Sequence, residues 1–365
     1  RAEPPEHPRL CGGQPRRELL LAWFAREQRD LPWRATKDAY AIWISEAMLQ
    51  QTRVETVIDY WRRFMARFSD VRVLAAAHEA DVLAQWSGLG YYRRARALHA
   101  AAKVIVERYS GEFPRDADAV RELPGVGPYT AGAVLSIAFD QAEALVDGNV
   151  VRVFSRWFAH DADYGATTAW AWEIARELVG SESGAGDWNQ ALMELGATLC
   201  TPREPACARC PVSMMCEAFA RGVQHELPRA KQRPASIDVE LLTVLVENGA
   251  RVLLEQRPAR GRMAGMWQLP TIEVVRDGRT AAQLFAAELP DALEIDAGES
   301  LATLRHSITC HRIRVSVVRG RLRAAVRAPF AWVERADIAA LACTGMARKT
   351  LRACPRENAL DRPAN

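Results

Sequence analysis

The chain has 365 residues, 49% of them hydrophobic and 25% charged, with a formal net charge of +3. That length suits two ordinary domains, each able to bury a core of its own. The composition excludes a disordered or fibrous chain, and no apolar run approaches a membrane span. So small a net charge permits a nucleic-acid partner without arguing for one.

Residues 1–14, rich in Pro, Arg and Gly, read as a disordered arm. They hold no apolar core like that of a signal peptide, so an intracellular, reducing location is expected, cytoplasmic and nucleoid-associated in a bacterium. From 15 to 220 apolar residues recur at helical spacing, as at Leu19, Leu20, Trp23 and Phe24, or Val54, Val57, Ile58 and Trp61. Gly and Pro punctuate at Leu31-Pro32, Gly88 to Gly90 and Phe113-Pro114, which predicts an all-α domain. Its Trp-rich helices, with Trp157, Trp170, Trp172 and Trp188, are read as core, and Arg93, Arg94 and Arg96 as an exposed basic stretch that suits DNA.

Within that domain, 41–52 predicts one helix, capped by Asp38 or Thr36 and bearing Glu46 on a face with Ile42 and Leu49. An acid among apolar neighbours is favoured in its neutral form, and a neutral acid near pH 7 can donate a proton. Further on, Leu123-Pro124-Gly125-Val126-Gly127-Pro128-Tyr129 joins two helical segments. Gly125 and Gly127 allow a tight turn and a close approach by another backbone, Pro128 suits a first helical position, and the N–H groups there suit a phosphate. Asp147, after a short apolar run and before Gly148-Asn149, belongs in a turn, either as a helix cap or facing a cleft.

Cysteines 200, 207, 210 and 216 are separated by six, two and five residues. Four thiolates so close in sequence suit a metal site, and the spacing alone leaves zinc and a [4Fe–4S] cluster both open. A polar, basic linker follows at 221–236, and beyond it the period drops to two. Strands at 239–246 and 251–255 flank the turn Glu247-Asn248-Gly249-Ala250. A helix at 280–288, strands at 301–308, 313–318 and 330–333, and short helices at 337–342 and 345–353 complete an α+β domain over 237–354. The tail, 355–365, reads as disordered.

Taken together these pieces resemble the helix-hairpin-helix DNA glycosylase superfamily, and within it the MutY-type adenine DNA glycosylases. The resemblance rests on Leu31-Pro32-Trp33-Arg34, 45–52, Gly88-Leu89-Gly90-Tyr91-Tyr92, 123–132, 146–150 and the four cysteines, in family order. It continues in Gly265-Met266-Trp267-Gln268-Leu269-Pro270, similar to a signature of the family's Nudix-related C-terminal domain. It implies a multi-domain chain in which an all-α glycosylase domain with a [4Fe–4S] loop precedes an α+β Nudix-like domain. The implied activity is excision of adenine mispaired with 8-oxoguanine or guanine, after the base is flipped from duplex DNA. The implied chain is a monomer with no membrane partner and no nucleotide cofactor, and with a cation at the hairpin.

Residue by residue, the resemblance makes Glu46 the acid that protonates adenine at N7. Asp147 becomes the carboxylate that stabilises or captures the sugar cation, with Tyr129 and Asn149 orienting the pair. Trp33 and Arg34 fall at the flipped base, and Gln51, Leu89 and Tyr91 at the lesion in the duplex. Gly125 and Gly127 form the hairpin, and Cys200, Cys207, Cys210 and Cys216 ligate the cluster. Tyr129 stands where lyase relatives carry a lysine, which implies a monofunctional enzyme with lyase activity absent or weak.

Two departures stand out. The family's Phe-Ser-His loop, which reads 8-oxoguanine, is here Ile308-Thr309-Cys310, so Thr309 keeps the hydroxyl and the aromatic is lost. The C-terminal domain also lacks the Glu-rich box that binds magnesium in Nudix hydrolases, which implies recognition rather than hydrolysis. The competing readings are a thymine mismatch glycosylase, a DNA-binding module without chemistry and, least favoured, a nucleotide hydrolase.

Overall fold

A computed structural model describes residues 13–180, 183–231, 235–258, 260–261, 263–274, 283, 295–308, 310–322 and 325–355. The chain divides into two compact units, one formed by 1–76 with 97–232 and the other by 77–96 with 233–365. Of the arm expected over 1–14, only Gly13 and Gln14 are described, and they begin a helix instead. The expected helix at 280–288 (but for residue 283) and the tail beyond Pro355 lie outside the described residues.

The first unit is helical. Its elements are α1 (Gly13–Glu27), α2 (Ala39–Leu49), α3 (Val54–Arg67) and α4 (Val71–Ala76); α5 (Glu79–Trp86) belongs to the second unit. Then follow α6 (Arg93–Tyr109), whose first turn groups with the second unit, α7 (Ala117–Arg121), α8 (Pro128–Phe139), α9 (Gly148–Trp157), α10 (Tyr164–Val179), α11 (Ala185–Thr198) and α12 (Glu217–Ala220).

Asp38 caps α2 by accepting from the N–H groups of Tyr40 and Ala41, and every residue from Ala39 to Met48 is buried. The helix is therefore sunk in the core rather than lying on it with one face, because α3 and α8 both pack against it. It ends at Leu49, short of the expected Thr52. Gln51 adopts a φ of 59°, a left-handed conformation that no helix continues through. Glu46 and Gln51 thus do not share one helix.

The central layer forms where α8, α9 and α11 meet. Gly127 caps α8, with Pro128 in its first turn. On α11, a Cβ at Gly196 would stand 2.5 Å from the Cβ of Asn149, so only glycine lets the start of α9 approach this closely. Trp157 and Trp188 fill the interior beside each other, with ring centroids 6.4 Å apart, as the sequence suggested. Trp170 and Trp172 are only half-buried, contrary to their reading as core. Trp170 stacks on His160 at 4.0 Å.

In the second unit, β1 (Ile237–Asn248), β2 (Arg251–Gln256), β3 (Trp267–Gln268), β4 (Thr271–Glu273), β5 (Ile295–Ile308), β6 (His311–Leu322) and β7 (Phe330–Glu334) form one sheet. Its order is β3-β2-β1-β6-β5, with β4 also on β1 and β7 on β2. The turn predicted at 247–250 joins β1 to β2, with Gly249 at a φ of 61°. The parallel register of β1 with β6, Leu242 opposite Ser316 and Val244 opposite Val318, puts apolar side chains on both faces. A short 3-10 turn (Asp337–Ala340) and α13 (Gly345–Ala353) cover one face. The glycine loop before α6 is tied into this unit, since Tyr92 Oη and Ser87 Oγ each donate to Cys343 O at 3.2 Å. Arg94 donates to Leu89 O and Gly90 O, and Arg96 pairs with Glu79 at 2.9 Å. Arg94 is thus turned onto the loop, while Arg93 is exposed and the Arg96–Glu79 pair lies at the surface.

Candidate active site

A cavity of about 810 Å³ opens in the helical unit between α2, α8, the start of α9 and α11. Its size suits one nucleotide base with room for its sugar. Predicted site residues from four separate stretches line it: Trp33 and Arg34, Glu46 with Gln51, Gly125 with Gly127 and Tyr129, and Asp147 with Asn149. Leu89 and Tyr91 lie in 77–96, outside the unit that holds this cavity. Tyr91 is 45% exposed, with a φ of 49°, so like Gln51 it is a non-glycine residue held in a left-handed conformation. Thr309 lies outside the described residues. Its neighbours Ile308 and His311 pair across the tip of the β5–β6 hairpin.

Glu46 is only 4% exposed. Burial raises its pKa to about 7, and the nearby Asp147 carboxylate pushes the same way. The Tyr129 hydroxyl, donating to Glu46 Oε2 at 2.7 Å, and the Arg34 cation pull it back. A carboxyl that is half-protonated near neutral pH can serve as a general acid. Burial and the two carboxylates hold the Tyr129 phenol well above its ordinary pKa, so it remains a donor. Met193 Sδ lies 3.3 Å from the same hydroxyl.

Asp147 is both of the things its sequence context allowed. It caps α9, with Oδ1 accepting from the N–H groups of Asn149 and Val150 at 2.8 Å, and it lines the cavity. Its Oδ2 accepts from Asn149 Nδ2, also at 2.8 Å. Burial raises its pKa, while these three donors and the Arg152 cation favour the ionised form. Asn149 is fixed in turn, since Arg152 Nη2 donates to its Oδ1 at 2.7 Å and to Gly196 O at 2.8 Å. The two carboxylates therefore differ in kind: Glu46 accepts one hydroxyl, and Asp147 sits in a cradle of N–H groups at a helix start.

The four cysteines enclose a small cavity together with Arg156, Trp157 and Leu199. Burial and neighbouring thiolates raise the pKa of Cys207, Cys210 (to about 12) and Cys216. Arg156 Nη1 reaches Cys200 Sγ at 3.3 Å. Among the described residues no group of three or more His, Cys, Asp or Glu is arranged to hold a single metal ion. Four cysteine sulfurs around one enclosure make a donor set that suits iron and sulfide. Arg152 Nε donates to Cys200 O at 2.7 Å, so one arginine braces both this loop and Asn149.

The sequence reading missed Arg29, Arg152, Gln190, Met193 and Glu194. Glu194 sits in an apolar run on α11, and nothing local reveals that its partners lie 160 and 165 residues away. The Glu in Ala191-Leu192-Met193-Glu194-Leu195 was nonetheless a signal of the same kind as Glu46, an acid on a helix between apolar neighbours.

The helical hairpin, the two carboxylates in one cavity and the cysteine loop define a base excision protein of the helix-hairpin-helix class. The family described as HhH-GPD superfamily base excision DNA repair protein matches residues 44–177, and the NUDIX domain family matches 242–353. The adenine DNA glycosylase of Rattus norvegicus is 35% identical over 92% of this chain and 77% of its own length. That of Mus musculus is 40% identical over 70% of this chain and 60% of its own length. A solved thermostable thymine-DNA glycosylase is 31% identical with a TM-score of 0.52, over 57% of this chain and 97% of that one. The chain belongs to the adenine DNA glycosylase family.

Proposed function

We propose that this chain is a monofunctional glycosylase that removes adenine from A:8-oxoguanine and A:guanine mispairs in duplex DNA, acting as a monomer. The observation that carries the reading is the pairing of Glu46 and Asp147 in one base-sized cavity, one buried acid near pH 7 and one carboxylate cradled by N–H groups.

The flipped adenine enters beside Trp33 and Arg34, and unstacking it costs a few kcal/mol, which Gln51 and Tyr91 offset by filling the duplex. Glu46 gives its proton to N7 of the base. The C1′–N9 bond then breaks with its electron pair going to adenine, which leaves as a neutral base. Positive charge develops on the sugar, where Asp147 stabilises or captures it until water adds at C1′, its released proton returning to the Glu46 carboxylate. Lyase chemistry needs an amine at C1′, and the phenol of Tyr129 supplies none. Among the described residues no lysine lines the cavity.

The four cysteines hold a [4Fe–4S] cluster in this reading, fixing the loop 200–216 against α9 through Arg152 and Arg156. Gly125 and Gly127 at the hairpin, with a bound cation, receive a DNA phosphate. The β5–β6 hairpin with Thr309 reads the 8-oxoguanine, and the sheet domain performs no hydrolysis of its own.

The test is single-turnover base release from an adenine:8-oxoguanine duplex. Glu46→Gln is expected to lower the rate by about 10³-fold or more with mispair binding nearly unchanged. Loss of binding instead makes Glu46 structural. Faster processing of a thymine:guanine duplex supports the thymine glycosylase reading.

A further inference from the structure

The wall of the cavity holds a second buried carboxylate. The Glu194 side chain is 0% exposed, and it accepts from Arg29 Nε at 2.7 Å and Arg29 Nη2 at 2.8 Å, and from Arg34 Nη2 at 2.8 Å. The Arg29 N–H donates to it at 3.2 Å, and Arg34 Nη1 donates to Arg29 O at 3.1 Å. The cluster is thus locked in all three members, and the Arg34 guanidinium also lies over the Phe24 ring at 5.2 Å. All three residues line the same cavity as Glu46, and Met193, next in sequence to Glu194, reaches the hydroxyl that Glu46 accepts.

We infer that Glu194 is a positioning residue of the excision site: shared between Arg29 and Arg34, it seats Arg34 against the flipped base and offsets the cationic charge that Arg34 places beside Glu46. The inference rests on the adenine-excision reading above. Without Glu194, Arg34, which is mostly buried, and the half-buried Arg29 would lose the carboxylate they share, and a cation beside a carboxyl favours loss of its proton. The arrangement gives the three carboxylates of the cavity separate tasks. Glu194, held ionised by its two arginines, is charge balance; Asp147 serves the sugar; Glu46 alone is left to carry a proton.

The other groups acting on Glu46 are Tyr129 from α8, Asp147 from the cap of α9 and Arg34 from the turn before α2. The packed helix α3 contributes the buried Val57 and Phe64, and the Trp61 indole that donates to Ala41 O; its Glu55 acts on Arg29. The cation–carboxylate balance at Arg34 is therefore the adjustable part of the site.

The experiment is the pH dependence of single-turnover adenine release by the full chain, with mispair binding measured in parallel. Glu194→Gln is expected to move the alkaline limb down by about one pH unit, a loss of about tenfold at pH 8 against a much smaller loss at pH 6. Glu194→Asp keeps the charge and is expected to keep the limb in place, whatever happens to the rate. Arg34→Gln removes the cation instead and is expected to move the limb up, so it decides the matter even if Glu194→Gln does not fold. A limb left unmoved in Glu194→Gln or in Arg34→Gln, or moved as far by Glu194→Asp as by Glu194→Gln, overturns the inference. Failure of the wild-type protein to release adenine is a different result: it overturns the functional reading on which the inference rests.

Discussion

Each unit has a cavity of a size to hold a base, about 810 Å³ in the helices and about 500 Å³ against the sheet. The helical cavity gathers Glu46, Asp147 and Glu194 with two arginines and a phenol, and their proton affinities diverge. The sheet cavity is lined mainly by apolar side chains such as Ile237, Leu241, Ile308 and Ile313, and among the described residues it has one carboxylate, Glu273. His306 and His311 also line it, and Arg257 Nη1 donates to Gln268 Oε1 at 2.7 Å, while Gln268 Nε2 donates outside the lining to Glu255 Oε2 at 3.1 Å. Burying ionisable groups costs stability, and a fold keeps them where protons and charge must move. The contrast lies in what each cavity gathers, carboxylates of diverging proton affinity in one unit and mainly apolar side chains in the other, and the proposed division into chemistry and recognition rests on it.

The sharpest way to break this division is Asp147→Asn, which removes the charge but keeps a capping side chain. Base release is expected to fall by about 10³-fold, a size typical of losing a preorganised electrostatic partner. Thermal unfolding should change by less than about 1 kcal/mol, because Asn caps a helix as well as Asp. A large loss of stability would mean that capping is the main role of Asp147.

Glu46 offers a test in the opposite direction. Its folded pKa near 7 lies above its ordinary 4.5, so this group favours folding below 4.5 and loses that advantage as pH rises through 7. At pH 8 the penalty is on the order of 3 kcal/mol. Glu46→Gln should therefore raise the melting temperature at pH 8 and leave it nearly unchanged at pH 4.5. Equal melting curves at both pH values would show that Glu46 is not held in its neutral form.

Tyr129→Phe removes the hydroxyl that lowers the pKa of Glu46, so the alkaline limb of base release should shift upward. The rate at pH 6 should fall about tenfold through lost orientation of the acid, and a smaller loss at pH 8 gives the sign of the effect. In the sheet unit, Thr309→Ala should reduce discrimination of 8-oxoguanine from guanine about tenfold, the value of one hydrogen bond, without altering the limb. Glu255→Gln should change base release least of all, by less than about twofold on the same hydrogen-bond scale, and a larger effect would blur the division between the units.

The elements that follow from local chemistry were legible in the sequence. The Asp38 cap, the Pro128 helix start, the turn at Gly249 and the helix Gly345–Ala353 each depend on neighbours within a few residues. The site was legible through the spacing of its motifs, which resembled a family before any geometry was known. Glu194 was not legible, since its meaning depends on arginines more than 150 positions away.

The sequence by itself determined the helical and sheet segments, the four grouped cysteines and the two acids Glu46 and Asp147 as candidates. Only the tertiary structure decided what those acids are. A carboxyl acquires its proton affinity from burial and from the charges that long-range packing brings beside it, and neither is written in its immediate neighbours. For the same reason Asp147 could be both a helix cap and a member of the cavity, and α2 could stop at Leu49 so that Gln51 turns out of the helix.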